Sequence, residues 1–169
     1  MKIIDCFMYF DEDMMLDIRL NILNNYVSNF VICEATFNHK GLPKKLNFNI
    51  NNFSKFKSKI KYVIVEKQPS NLRKIEDSDT KDIKDSKILD NSLIRENFQR
   101  NCLAKELDNF SDEDLILIND VDEIPNLQKF KYEKKITIFK QKMFYYKFNL
   151  IYPEFTWFGS KICKKKHLE

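Results

Sequence analysis

Four short apolar runs recur along the chain: Ile3 to Ile4 leading into Phe7, Phe30 to Cys33, Tyr62 to Val65, and Leu115 to Ile118. A strand with one wet face alternates apolar and polar residues, so continuous runs of this length predict strands covered on both faces. Between the first two lies DEDMMLDIRLNILNNY, where Met15, Ile18, Ile22 and Tyr26 recur at helical spacing. The acids at 11 to 13 suit a helix start, because carboxylates are favoured at the positive end of the helix dipole. From Asn91 to Phe110 the pattern repeats: Ile94, Phe98 and Cys102 stand at four-residue steps, Leu103, Leu107 and Phe110 continue the stripe, and Asp90, Asn91 and Ser92 offer an N-cap. Strands alternating with helices of this length predict an α/β fold with a mainly parallel sheet flanked by helices.

Two segments depart from that pattern. Residues 67–90, KQPSNLRKIEDSDTKDIKDSKILD, are dense in mixed charge and almost free of large apolar side chains, which predicts a long exposed or mobile loop. Residues 136–152, ITIFKQKMFYYKFNLIY, are β-branched and aromatic with lysine interspersed, which predicts an additional β-ribbon after the parallel part. No internal repeat is visible.

Length adds a bound. At 169 residues the chain reads as a single domain able to bury roughly 70% of its unfolded surface, so its core needs no disulfide or metal staple. Fifteen Phe, seven Tyr and one Trp are too many aromatics for a disordered chain. Cys6, Cys33, Cys102 and Cys163 are widely spaced with no Cys-x-x-Cys, the pattern of buried free thiols in a reducing compartment. The net charge of +4 comes almost entirely from lysine, since Arg occurs only at 19, 73, 95 and 100. Without clustered Arg and interleaved aromatics, no nucleic-acid partner is expected. The start MKIIDCFMYFDED turns acidic at once, unlike a signal peptide, and no run approaches the roughly 20 apolar residues that span a bilayer. A cytoplasmic location is the expectation.

The sharpest chemical feature is LILINDVDEIP, residues 115–125, an apolar strand running straight into Asp120, Val121, Asp122, Glu123, Ile124 and Pro125. In an open α/β sheet, ligands bind beyond the carboxyl ends of the strands, where these acids would stand. Two Asp separated by one residue can share one hard divalent cation, Mg²⁺ or Mn²⁺, which relieves their repulsion and normally also holds a substrate diphosphate. The plainer reading of acids after a strand is an ordinary turn. Glu34, directly after FVIC, is either a hydrogen-bonding partner for a ribose or base or a solvated strand end. In LIRENFQRNCL, residues 93–103, Asn97, Arg100 and Asn101 share a face that either borders a ligand crevice or pairs Arg100 with Glu96 or Glu106. Tyr145, Tyr146, Tyr152 and Trp157 are candidates for stacking on sugar faces, or for cross-strand packing.

Other chemistries lack their parts. His39 and His167 have no nucleophile motif near them, and Gly41 and Gly159 are the sole glycines, so triad, Rossmann and P-loop readings all fail. A phosphatase of the haloacid dehalogenase type wants its Asp-x-Asp near the amino terminus, where this chain has Asp5 followed by Cys6.

Taken in order, IIDCFMYFDEDMMLDIRLNIL, FVICEATFNHKGLPKKLNF, RENFQRNCL, LILINDVDEIP and FTWFGSKIC resemble glycosyltransferase family 17, the β-1,4-mannosyl-glycoprotein β-1,4-N-acetylglucosaminyltransferases and their bacterial relatives. The resemblance implies a GT-A, Rossmann-like fold, a UDP-sugar donor, with UDP-N-acetylglucosamine as the implied molecule, and inverting transfer to a glycan acceptor. It implies that Asp120 and Asp122 bind the donor diphosphate through Mn²⁺ or Mg²⁺. It places Phe7 and Glu34 beside the nucleoside, with Arg95, Arg100 and Asn101 on the helix that borders it.

Inverting transfer needs a general base, which in such enzymes commonly lies in the later half. Family members usually continue well beyond this length. Either Glu154, the sole internal acid after Glu133, is that base, or the chain lacks it and is a catalytically incomplete GT-A domain that binds nucleotide or a partner without transfer.

Overall fold

A computed structural model of the chain describes residues 1–168. The elements run β1 (Ile3–Met8), α1 (Asp13–Leu23), β2 (Asn29–Ala35), β3 (Ile60–Val65), α2 (Lys81–Cys102), β4 (Leu115–Asn119), β5 (Ile136–Phe144) and β6 (Ile151–Lys164), with short 3₁₀ segments at Ile50–Phe56, Leu103–Asn109 and Lys165–His167. The six strands form one sheet in the order β3-β2-β1-β4-β6-β5. The first four are parallel, and β6 runs antiparallel to both β4 and β5.

The four apolar runs are the four parallel strands, and helices or loops cover both faces of β1, β2 and β4, whereas β3, at the sheet edge, leaves Lys61 and Ile64 exposed and so departs from the expectation of a strand covered on both faces. Successive side chains on a strand point to opposite sides. Phe7, Phe30, Ile32, Leu115 and Leu117 therefore pack with Leu16, Leu20 and Leu23 of α1. Ile4, Cys6, Val31, Cys33 and Ile116 pack instead with Cys102 at the end of α2 and with Leu103 and Leu107 of the 3₁₀ segment that follows it. All four cysteines are free and buried, and burial pushes the Cys33 thiol up to about 12. No helix among the described residues is long and apolar enough to cross a membrane.

Three expectations need correction. The buried face of α1 is Leu16, Arg19, Leu20 and Leu23, while Ile22 and Tyr26 are exposed. Apolar spacing alone does not choose between two stripes, since Leu16, Leu20, Leu23 and Val27 recur at helical spacing as Met15, Ile18, Ile22 and Tyr26 do, and the buried one also carries Arg19. The segment 67–90 is not one loop, since α2 begins at Lys81. Its N-cap is Thr80, whose hydroxyl accepts from the Ile83 amide, and not Asp90, Asn91 or Ser92. The charged turns 81–90 are helical because they continue a helix anchored further on by Phe98 and Cys102. The ribbon also reaches beyond 152: β6 continues to Lys164, where Ile162 and Cys163 pair with Leu117 and Ile116, so the ribbon is the antiparallel edge of the main sheet.

Candidate active site

From β1 the chain steps outward through β2 and β3, then returns to place β4 on the other side of β1. This reversal makes a crevice at the carboxyl ends of β1 and β4, because the connections leaving the two strands diverge. Phe7 of β1 stands in register with Asn119 of β4, so residues 8–12 and 120–123 leave the sheet side by side. Between them lies a cavity of about 490 Å³ lined by Met8, Tyr9, Glu12, Gln99, Asp120 and Asp122, among others. A second cavity of about 350 Å³ shares Met15, Asp120 and Asp122 with the first and continues toward Lys142, Phe148 and Trp157 of the ribbon. The acid pair thus stands on the wall common to both.

A buried ion pair holds the acidic turn in place. Arg19 of α1 and Asp5 of β1 are both fully buried, with Arg19 Nη2 donating to Asp5 Oδ1 at 2.6 Å and Nε to Oδ2 at 2.8 Å. Arg19 Nη1 donates to the backbone carbonyls of Asp120, Val121 and Glu123 at 3.2, 3.2 and 2.7 Å. Asn119 Nδ2 donates to Asp5 Oδ1 at 2.6 Å, tying the end of β4 into the same network. A guanidinium offers five donors in a rigid plane, so one side chain can grip a carboxylate and a turn of backbone together. Phe7 packs against this group, with Arg19 Cζ 4.6 Å from its ring centre.

Glu123 closes the turn from the other side. Its Oε2 accepts from the Asp120 amide at 3.1 Å, and its Oε1 accepts from the Trp157 indole N–H at 2.5 Å. Ser160 Oγ donates to the Glu123 carbonyl at 3.1 Å. Gly159 lies beneath this contact, where a Cβ would come within 2.1 Å of Glu123 Oε1 and 2.3 Å of the Trp157 nitrogen. The residue types in Trp157-x-Gly159-Ser160 thereby have one physical reason, which is to receive Glu123.

Asp120 and Asp122 are left facing the cavities. Asp120 Oδ1 accepts from Arg100 Nη2 at 3.0 Å, and the same nitrogen reaches Glu96 Oε1 at 3.0 Å. Asp122 is exposed. Glu12 and Glu96 also line the first cavity, so an anionic ligand entering it meets four carboxylates. Among the described residues no three His, Cys, Asp or Glu side chains converge as a metal cage. Two carboxylates with open space beside them suit Mg²⁺ or Mn²⁺, which keep most of their shell for water and substrate phosphate. Tyr9 also lines the cavity. Burial, then the hydrogen bond to Asp13, pushes its phenol above the ordinary tyrosine range, which keeps it a neutral donor.

The family model of glycosyltransferase family 17 matches residues 1–163. The chain belongs to glycosyltransferase family 17. Neither a curated protein nor a solved structure matches it.

The other residues singled out for this family 17 chain fall in different places. Arg100 reaches the acid pair, pairing with Glu96 as well. Arg95 turns away: its Nε donates to Gln68 at 2.7 Å and its Nη1 to the His39 carbonyl at 3.1 Å, bracing the turn in which Gly41 takes a positive φ of 85°. Asn101 is exposed and lines a separate hollow with Leu103 and Leu107. Phe7 is wholly buried, with no surface in either cavity. Glu34 is neither a solvated end nor an open ligand group. It points to the α1 side of the sheet, where Lys44, the Asn47 and Phe48 amides and the Tyr62 hydroxyl donate to it, fixing the loop after β2. Glu154 is exposed on β6 and lines neither cavity. The residues that sequence reasoning passed over are Asp5, Arg19, Asn119 and Glu123. A usable signal existed for Arg19, as one of four arginines in a lysine-rich chain.

Proposed function

We propose that this glycosyltransferase is a GT-A-type, metal-dependent inverting enzyme that moves N-acetylglucosamine from UDP-N-acetylglucosamine to a glycan acceptor. The single observation that carries the reading is the placement of Asp120 and Asp122 on the wall shared by two cavities at the sheet's switch point. Donor and acceptor must meet at one carbon, so a group touching the donor diphosphate belongs between their two sites. In this reading the first cavity takes the nucleotide and the second takes the acceptor, with Trp157 offering a partly exposed aromatic face to a sugar.

Asp120 and Asp122 would hold the cation, and Arg19 keeps both at fixed positions through the backbone. A divalent cation there would offset the negative charge that builds on the departing diphosphate. The acceptor hydroxyl oxygen bonds to the anomeric carbon from the face opposite the diphosphate, the carbon–oxygen bond to phosphate breaks, and the hydroxyl proton passes to a base. Positioning across two adjoining cavities supplies the in-line approach.

A second reading, a domain that binds nucleotide without turnover, draws on the acids of the acceptor-side cavity. Besides Asp120 and Asp122 the one other acid there is Glu123, and both of its oxygens are already engaged. Isothermal titration with UDP-N-acetylglucosamine, with and without Mn²⁺, tests both readings. Manganese-dependent binding supports the donor site, and no binding in either condition removes it. Release of UDP on adding acceptor glycans then separates transfer from binding alone.

A further inference from the structure

The ribbon formed by β5 and β6 carries a continuous series of exposed large apolar side chains, and neither donor nor acceptor chemistry accounts for its far end. Residues 144–155 are exposed without interruption. Neighbouring residues of a strand point to opposite faces, so Ile151 and Tyr152, each about half exposed, show that both faces of the ribbon are bare. At its turn Tyr146 is 88% and Phe148 60% exposed. An open cleft of about 390 Å³ between the strands is lined by Met143, Tyr145, Tyr152 and Phe155 alone. Soluble chains seldom leave such a patch uncovered unless something docks on it.

Charge and shape select the occupant. Residues 134–161 hold six lysines and one acid, a balance of +5 against +4 for the whole chain, so the rest of the molecule is close to neutral. Aromatics and lysines together suit the boundary between acyl chains and anionic headgroups, where rings sit at headgroup depth and lysine stems lie along apolar surface with the ammonium in water. A protein partner, or a second copy, covers one face of a ribbon, whereas a bilayer surrounds an inserted tip on every side. We infer that the β5–β6 ribbon docks this protein on an anionic lipid surface, inserting its turn around Tyr146 and Leu150. A ribbon tip that enters the headgroup boundary attaches without crossing the bilayer. Lys142, Phe144 and Phe148 also line the second cavity, so docking brings that cavity to the membrane surface.

Flotation of the full chain with phosphatidylcholine vesicles, with and without phosphatidylserine, tests the inference. The expected result is flotation with the anionic vesicles, weakened by salt. Lys147→Glu should weaken it on the order of tenfold. Tyr146→Asn with Leu150→Asn, both outside the two cavities, should weaken it by a similar factor or more at unchanged thermal midpoint. Absence of flotation with anionic vesicles overturns the inference, as does flotation that the tip variants leave intact. A dimer in sedimentation velocity that the tip variants dissociate, without vesicle binding, would assign the ribbon to a second copy instead. Flotation needs no nucleotide, so its outcome stands apart from the UDP titration.

Discussion

At the scale of single residues, the site is a division between groups that hold and groups that are held. Asp120 and Asp122 contribute little to the core, and the Arg100 contact to Asp120 is about a third exposed on the Arg side, a pair worth ~0–1 kcal/mol. Asp122→Ala should therefore abolish manganese-dependent UDP binding while moving stability by no more than about 0.5 kcal/mol. Asp120→Ala should weaken binding by roughly ten- to a hundredfold. Titration calorimetry beside a urea melt reads both, and unchanged metal-dependent affinity in the two variants would remove the site assignment. Arg19 behaves in the opposite way. Arg19→Met leaves Asp5 charged, buried and unpaired, which should cost about 3–5 kcal/mol in the same melt. Asp5→Leu added to it should recover part of that loss, since an apolar pair removes the stranded charge. A loss below about 1 kcal/mol in the single variant would show that the network is dispensable.

At the scale of elements, the long helix α2 and the segment before it act together. Residues 67–80 have no regular structure, yet Asn91 of α2 accepts from the Arg73 amide at 2.7 Å and donates to its carbonyl at 2.9 Å, while Lys87 grips Asp79. These ties run along the helix and not across the cavity. Hydrogen exchange over 67–80 is therefore expected to be the same with and without UDP-sugar and Mn²⁺. Protection gained on adding donor would instead make the segment a lid. At the other end of the molecule, Lys164 at the close of β6 donates to Glu113 at 2.6 Å, and Lys166 donates to its second oxygen. Those two bonds, Lys164 first, hold the Glu113 carboxyl at about 2, below its ordinary 4.5. A depressed carboxylate contributes stability that is present above 4.5 and lost as pH falls through about 2. Measured against the intrinsic rate at each pH, amide exchange of residues 164–168 should accordingly lose protection on acidification across that window, and Glu113→Gln should already show the lower protection at neutral pH.

At the scale of the whole molecule, a parallel four-stranded core carries the site at one end and an antiparallel edge carries the bare ribbon. The sequence alone determined the four strands: β1, β2 and β4 are dry on both faces and so must be apolar throughout, and β3 shows a like apolar run although its edge position leaves Ile64 exposed. It determined as well that Asp120 and Asp122 stand beyond the carboxyl end of β4, since they follow the apolar run directly. It could not determine the face of α1, where two apolar stripes compete and the buried one, Leu16, Leu20 and Leu23, also carries Arg19, a core residue only once Asp5 is brought beside it. Residues 81–90 carry no apolar stripe, and their helix is propagated from packing further along α2. Glu34 and Glu123 look alike in sequence, as acids at strand ends. Tertiary structure alone decided that Lys44 and Tyr62 meet the first and Trp157 the second, because those partners come from strands and loops distant along the chain. A buried charge is located by what neutralises it, and that partner is chosen by the fold.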